Sequence, residues 1–277
     1  MPLPQPAPSS TALVTGASAG IGEQFARQLA ARGHGVTLTA RRADRLEALA
    51  DELRRTHGVR AEAIAADLAM PEERDRLAQE IASRGLTVEV LINNAGFGIY
   101  VPFADSDRER ELQQVRLLVE AVVDFDARYL PGMVERGRGA IINMSSTAGL
   151  QPLPGNGTYS AAKAFVLYHS EALHEELRDS GVTVTAVCPG PVRTEFQEVS
   201  NPAFDERLPG FTFVSAERVA QDALRAAEKG KRSVIPGGPA VKAFFGSNRI
   251  APPSLTLPIS RRLMSAELKR GEKTPKS

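Results

Sequence analysis

The chain has 277 residues, 42% apolar and 24% charged, with 34 Lys+Arg against 33 Asp+Glu and a net charge of +1. That is ordinary globular composition, and its near-neutral balance excludes a broad electrostatic footprint for nucleic acid or anionic membrane. One cysteine, Cys188, excludes an intramolecular disulfide framework. It suits a reducing, cytoplasmic setting. The opening MPLPQPAPSS lacks the basic and apolar regions of a secretory signal, and no uncharged apolar run reaches the roughly 18 residues of a membrane span.

Residues 1–10 read as a Pro-rich extended arm. From Thr11 onward, short apolar runs alternate with stretches of helical period. The runs at 11–15, 35–39, 61–66, 88–92, 140–144, 182–187 and 232–235 predict strands; 20–32, 43–56, 72–83, 106–130, 159–179 and 216–229 predict helices. Leu46, Leu49, Ala50 and Leu53 form an i, i+3, i+4, i+7 stripe, and Pro71 opens an acidic first turn. Apolar strands separated by helices imply a parallel sheet covered on both faces, and right-handed crossovers make it a doubly wound α/β fold. With no internal linker, 11–238 reads as one domain. Residues 239–277 read as an extension: for 240–264 a lid or partner contact stands beside a packing arm, and the basic tail reads as disordered.

Gly16, Ser18, Ala19, Gly20, Ile21 and Gly22 lie between the first strand and first helix. Gly16 permits a tight turn, Gly20 lets backbone approach a pyrophosphate, and Gly22 allows close helix–sheet packing. The helix N-terminus then offers amide donors to phosphate, which points to a dinucleotide. After the second strand the chain reads Thr39-Ala40-Arg41-Arg42, with no acid for a ribose diol. Two guanidiniums suit the 2′-phosphate of NADP rather than NAD; the alternative is two solvated arginines opening a helix. Tyr159 and Lys163 share a helix face at i and i+4, where a nearby cation lowers a phenol's pKa and makes it a usable acid/base.

These motifs resemble the short-chain dehydrogenase/reductase family. TGASAGIG, Asp67-Leu68, Asn93-Asn94-Ala95-Gly96, Ser146 thirteen residues before Tyr159, Lys163, and Cys188-Pro189-Gly190-Pro191-Val192-Arg193-Thr194 occur in the family's order across 11–235. The resemblance implies a three-layer Rossmann-like fold with a seven-stranded parallel sheet and NAD(P)-dependent hydride transfer between alcohols and ketones or aldehydes. It implies Tyr159 as acid/base, Ser146 as the hydroxyl polarising the carbonyl, and Lys163 as the group lowering the tyrosine pKa and holding the nicotinamide ribose. Asp67 and Leu68 would contact adenine. Asn93, Ala95 and Gly96 would line the cleft, and Pro189, Gly190, Val192 and Thr194 would face the nicotinamide. Only spacing selects Ser146 over Ser145. A homodimer or homotetramer is implied as well.

The sequence departs from the family at one catalytic position. Counting back from Leu130-Pro131-Gly132-Met133 puts Leu118 where the family has an asparagine that supports a water relay from the lysine. Leucine cannot hydrogen-bond. The alternatives are therefore a working reductase, a cofactor-binding protein with weak or lost activity, or a changed reaction, non-redox or engineered. Val101, Phe125 and Asp126 either reshape the pocket or repack a helix. Asp124 and Asp126 point apart on that helix, so they form no acid/base pair. His34, His57, His169 and His174 have no metal-ligand spacing, so no metal is expected. Phe97, Ile99, Tyr100, Val101, Phe196, Phe211 and Phe213 suggest an apolar small-molecule substrate.

Overall fold

The computed structural model describes residues 3–195, 209–249 and 251–270. Phe196, Ile250 and the tail from 271 lie outside them. The strands are β1 (Ser10–Thr15), β2 (Val36–Ala40), β3 (Ala61–Ala65), β4 (Thr87–Asn93), β5 (Gly139–Met144), β6 (Val182–Val187) and β7 (Ser233–Val234). They form one parallel sheet in the order β3-β2-β1-β4-β5-β6-β7. The order reverses about β1, which pairs with β2 on one side and β4 on the other. At that reversal a crevice opens at the carboxyl ends of the strands.

Helices α1 (Gly20–Ala30), α2 (Ala43–His57) and α7 (Ala216–Glu228) cover one face, burying Phe25, Leu29, Leu46, Leu53 and Val219 with the sheet. On the other face lie α3 (Pro71–Ser83), α4 (Arg108–Val115), α5 (Ala121–Glu135) and α6 (Gly157–Glu176). Leu77, Ile81, Phe125 and Met133 fill the core there. Local chemistry sets several ends. Asp107 accepts from the Arg110 amide at the start of α4, Ser215 accepts from Arg218 at the start of α7, and Gly58 ends α2 with φ +66°.

The predicted helix at 106–130 is α4 and α5 joined by a π turn, Arg116–Glu120, which contains Leu118. Such a turn inserts an extra residue and rotates the side chains after it. The N-terminal arm packs down, with Leu3 buried in the core. The extension folds as α8 (Pro239–Gly246) and α9 (Pro253–Arg270), and α8 buries Val241 and Phe245. Its Pro and Gly residues broke the apolar period that would have marked these helices.

Candidate active site

The carboxyl ends of the strands open into a cavity of about 720 Å³. One end is built by the glycine turn. Gly16 and Gly20 have φ of +67° and +61°; a Cβ on Gly16 would stand 2.9 Å from Ala95 Cα, and one on Gly20 would stand 3.1 Å from Thr194 Cγ2. The turn therefore requires glycine for its conformation and for closeness of approach. At the start of α1 the N-cap, Ala19, offers no side-chain cap. The helix amides are left for a ligand anion, a cradle that fits a pyrophosphate.

Gly16, Ser18, Ala19, Gly20, Ile21, Arg41, Arg42, Asp67 and Leu68 all line this end. Gly22 does not. Its Cβ would fall 2.2 Å from the Gly16 carbonyl oxygen, so its role is packing. Arg42 donates to Ser18 Oγ at 3.0 Å and pairs with Glu195 at 2.7 Å. Arg41 is exposed and has no ion-pair partner among the described residues. Asp67 Oδ1 accepts from the Ala69 amide at 3.1 Å. The Leu68 carbonyl accepts from Arg74 at 3.0 Å, and that buried guanidinium also pairs with Asp124 and with Glu120 in the π turn. Arg74 thus ties the loop at one end of the cavity to the turn beside the other. Sequence reading missed it, because it lies in a stretch that reads as an exposed acidic helix start.

The other end gathers Ser146, Tyr159, Lys163, Ala95, Gly96, Pro189, Gly190, Val192 and Thr194. Ser146 caps the 3₁₀ turn Thr147–Leu150, accepting from the Ala148 amide at 3.1 Å, and it hydrogen-bonds Tyr159. Ser145 Oγ instead donates to the Lys163 carbonyl at 2.7 Å, which removes it as a competitor for the reacting group. Lys163 Nζ donates to the Met144 carbonyl at 2.6 Å and lies 5.7 Å from the Tyr159 ring centroid.

Burial pushes the Tyr159 phenol up to about 12, only partly offset by Ser146, and pulls the Lys163 ammonium down to about 8. The expected lowering of the tyrosine pKa by lysine is absent from the protein alone. Desolvation dominates, and the ammonium is directed at the Met144 carbonyl rather than at the phenol oxygen. At neutral pH the phenol therefore carries its proton.

Leu118 is 1% exposed and packs against Tyr159 and Ala162. A Cβ at Gly96 would lie 2.7 Å from Leu118 Cδ2 and 3.9 Å from Lys163 Nζ, so leucine and ammonium share one apolar corner. The preceding residue, Leu117, lines the cavity.

Two expectations need correction, and one open alternative is resolved. Asn93 does not line the cavity: it donates to Asp126 at 2.9 Å and Asn143 at 2.8 Å, in a buried network that also holds His169. Asn94 is the lining residue, bonded to the Thr15 carbonyl at 2.9 Å. Phe125 stacks on Tyr129 in the core and Asp126 sits in that buried network, so both pack the helix rather than shape the pocket. Asp126 and Asp124 do point apart. Of the apolar loop residues named from the sequence, Phe97 and Tyr100 line the cavity. Ile99 and Val101 face a separate cavity shared with Phe103, while Phe211 stacks edge-on against Phe244 and Phe213 lies under Arg193. From the extension, Phe244, Phe245, Asn248, Thr256 and Ile259 complete the wall. No group of metal ligands occurs among the described residues, and none of their helices is long and apolar enough to cross a membrane.

The short chain dehydrogenase family profile matches residues 10–204. The chain belongs to this family of oxidoreductases. It is 38% identical over 210 residues to a very-long-chain 3-oxoacyl-CoA reductase of Anas platyrhynchos, a match covering 74% of this chain and 66% of the relative. This chain thus spans just under two thirds of that relative's length. A short-chain dehydrogenase from Sphingobium yanoikuyae, solved with NADPH, superposes with a TM-score of 0.76 at 34% identity over 92% of this chain and 95% of that one. A bulky-bulky ketone specific alcohol dehydrogenase from Comamonas testosteroni superposes at 0.73 with 28% identity, covering 93% and 94% of the two chains.

Proposed function

We propose that this short-chain dehydrogenase is an NADP-dependent reductase of an extended, mostly apolar ketone, with Tyr159 as proton donor. The observation that carries the reading is the Ser146–Tyr159 hydroxyl pair, standing in the same cavity as the glycine turn. Reduced nicotinamide supplies the hydride when bound. Tyr159 would then give its proton to the carbonyl oxygen as negative charge develops there. Ser146 donates to the same oxygen and stabilises that charge. Lys163 would hold the nicotinamide ribose hydroxyls and supply the local positive charge.

Gly16, Ser18, Ala19, Gly20 and Ile21 would take the pyrophosphate, Asp67 and Leu68 the adenine, and Arg41 with Arg42 the 2′-phosphate. Asn94, Ala95 and Gly96 would flank the middle of the cofactor, and Pro189, Gly190, Val192 and Thr194 its nicotinamide end. Relatives named as 3-oxoacyl-CoA reductases and a neighbour specific for bulky ketones support a ketone as substrate. The apolar wall of Phe97, Tyr100, Leu117, Phe244 and Ile259 fits a long or bulky carbon chain.

Leu118 favours a second reading, a cofactor-bound protein with slow chemistry, because the corner beside Lys163 holds leucine rather than a relay group. A panel of aliphatic 3-oxoacyl thioesters and bulky ketones, run with NADPH and with NADH, separates the two. Turnover with NADPH is expected. Tight NADPH binding without turnover on any ketone would establish the second reading. Phe165 and Tyr168 on α6 and Val115 on α4 are exposed. We assign them to a homodimer interface, measurable by light scattering.

A further inference from the structure

Glu195 stands immediately after the Pro189–Thr194 segment, at the far side of the cofactor cleft from β2. Its carboxylate nevertheless reaches across to the start of α2: one oxygen lies 2.7 Å from Arg42 Nη1 and the other 2.6 Å from Arg45 Nη1. The two guanidiniums hold the carboxyl below the usual carboxylate range, so it is charged throughout the physiological range. Arg42 is further engaged by Ser18 Oγ in the glycine turn. Both Arg42 and Glu195 line the cavity, together with Arg41.

A 2′-phosphate placed at the end of β2 needs a cluster of guanidinium donors. It carries roughly 1.5 to 2 negative charges at neutral pH, so any fixed carboxylate nearby repels it. In this chain the Arg42 guanidinium that would receive the phosphate already gives one N–H to a carboxylate of the same charge sign, and that carboxylate bridges on to Arg45. Arg41 remains the guanidinium without an ion-pair partner among the described residues. We infer that Glu195 is a cofactor-selectivity residue: its carboxylate occupies Arg42, one of the two guanidiniums assigned to the phosphate, and holds the preference for NADP below what Arg41 and Arg42 would otherwise give. An acid that lowers NADP preference is expected beside the ribose on β2, whereas here it comes from the segment after β6. The inference rests on the assignment of Arg41 and Arg42 to the 2′-phosphate.

The test measures nucleotide binding by calorimetry on the full chain, without turnover. The probes are 2′,5′-ADP and 5′-AMP, which differ by the phosphate in question, followed by NADPH and NADH. Glu195→Gln keeps the size and removes the charge. Repulsion between one carboxylate and a phosphate a few ångströms away, screened by water, predicts about tenfold tighter binding of 2′,5′-ADP and NADPH. 5′-AMP and NADH should stay within about twofold, since neither carries the phosphate. Raising salt should shrink the gain, because a partly exposed pair is screened. Glu195→Ala should reproduce the direction and excludes an effect particular to the amide. Unchanged or weaker 2′,5′-ADP binding in both variants overturns the inference, and so does equal tightening of all four ligands. If the unmodified protein binds 2′,5′-ADP no better than 5′-AMP and Arg41→Ala changes neither, the assignment of the phosphate site itself fails. The two failures are thereby told apart.

Discussion

Replacing Leu118 with asparagine probes the corner that most separates this chain from its family. Leu118 is 1% exposed and packs on Tyr159 and Ala162, so the change removes buried apolar surface and inserts an amide. Loss of a buried leucine side chain costs about 2–5 kcal/mol, reduced here because asparagine refills part of the volume. An unpaired buried amide adds about 1–3 kcal/mol, offset where it finds a partner. One partner is near: Leu118 Cδ2 and Lys163 Nζ flank the same point above Gly96, 2.7 and 3.9 Å away from it.

The net expectation is a loss of roughly 2–4 kcal/mol, or roughly 5–15 °C in melting temperature for a chain of this size. The functional signature is different. An amide oxygen favours the charged lysine, so the Lys163 pKa moves up from about 8 toward its ordinary 10.5. One unit above its pKa only about one tenth of a lysine is charged, so the wild-type protein loses the ammonium near pH 9 while the variant keeps it. Calorimetric melting and the pH dependence of kcat/KM for ketone reduction test the two halves. A variant that melts with the wild type and shows the same pH break would refute the claim that Leu118 forms the apolar wall on Lys163.

Three further outcomes follow from the same geometry. Tyr159→Phe should lower kcat about 10²–10⁴-fold with NADPH affinity retained, because it removes a proton and leaves the binding surface. Arg41→Ala should weaken NADPH about tenfold and leave NADH unchanged, as loss of one charge-assisted phosphate contact dictates, measured by fluorescence titration. Gly22→Ala should destabilise the fold by several kcal/mol, seen as a fall in the denaturation midpoint, since its Cβ would meet the Gly16 carbonyl oxygen at 2.2 Å.

Stability against pH carries two opposite contributions. The folded Lys163 pKa of about 8 lies below its unfolded value, so the cost of burying the charge is present at neutral pH and is relieved as pH rises from about 8 toward 10.5. The folded Tyr159 pKa of about 12 lies above its unfolded value, so its contribution is full below pH 10 and lost as pH rises from there toward 12. Denaturation of Lys163→Met and Tyr159→Phe across that range isolates each.

The glycine turn and the Tyr159–Lys163 pair were legible because each is local: a turn and an i, i+4 spacing need no knowledge of distant residues. Strand alternation explains the exchange of Asn93 for Asn94. Consecutive residues at a strand end face opposite ways, and Asn93 turns into the polar network under Asp126 while Asn94 reaches Thr15. Glu195 was hidden because its partners lie about 150 residues away in the chain. The π turn was hidden because Arg116–Glu120 carries no Gly or Pro to mark it, and the apolar period runs on through it. The wall contributed by α8 and α9 became visible only in three dimensions, where Phe244, Phe245 and Ile259 close over the cavity.

Tyr159 is proposed to donate a proton during NADPH-driven reduction of an extended ketone. The most direct measurement compares wild type and Tyr159→Phe on a long-chain 3-oxoacyl thioester, following NADPH consumption and identifying the product by mass spectrometry. One 3-hydroxyacyl thioester per NADPH consumed by the wild type, and a rate at least about a hundredfold lower in the variant, is the predicted result. Equal rates in the two proteins, or NADPH bound by the wild type with no hydroxyl product from that thioester or from bulky ketones, would contradict it.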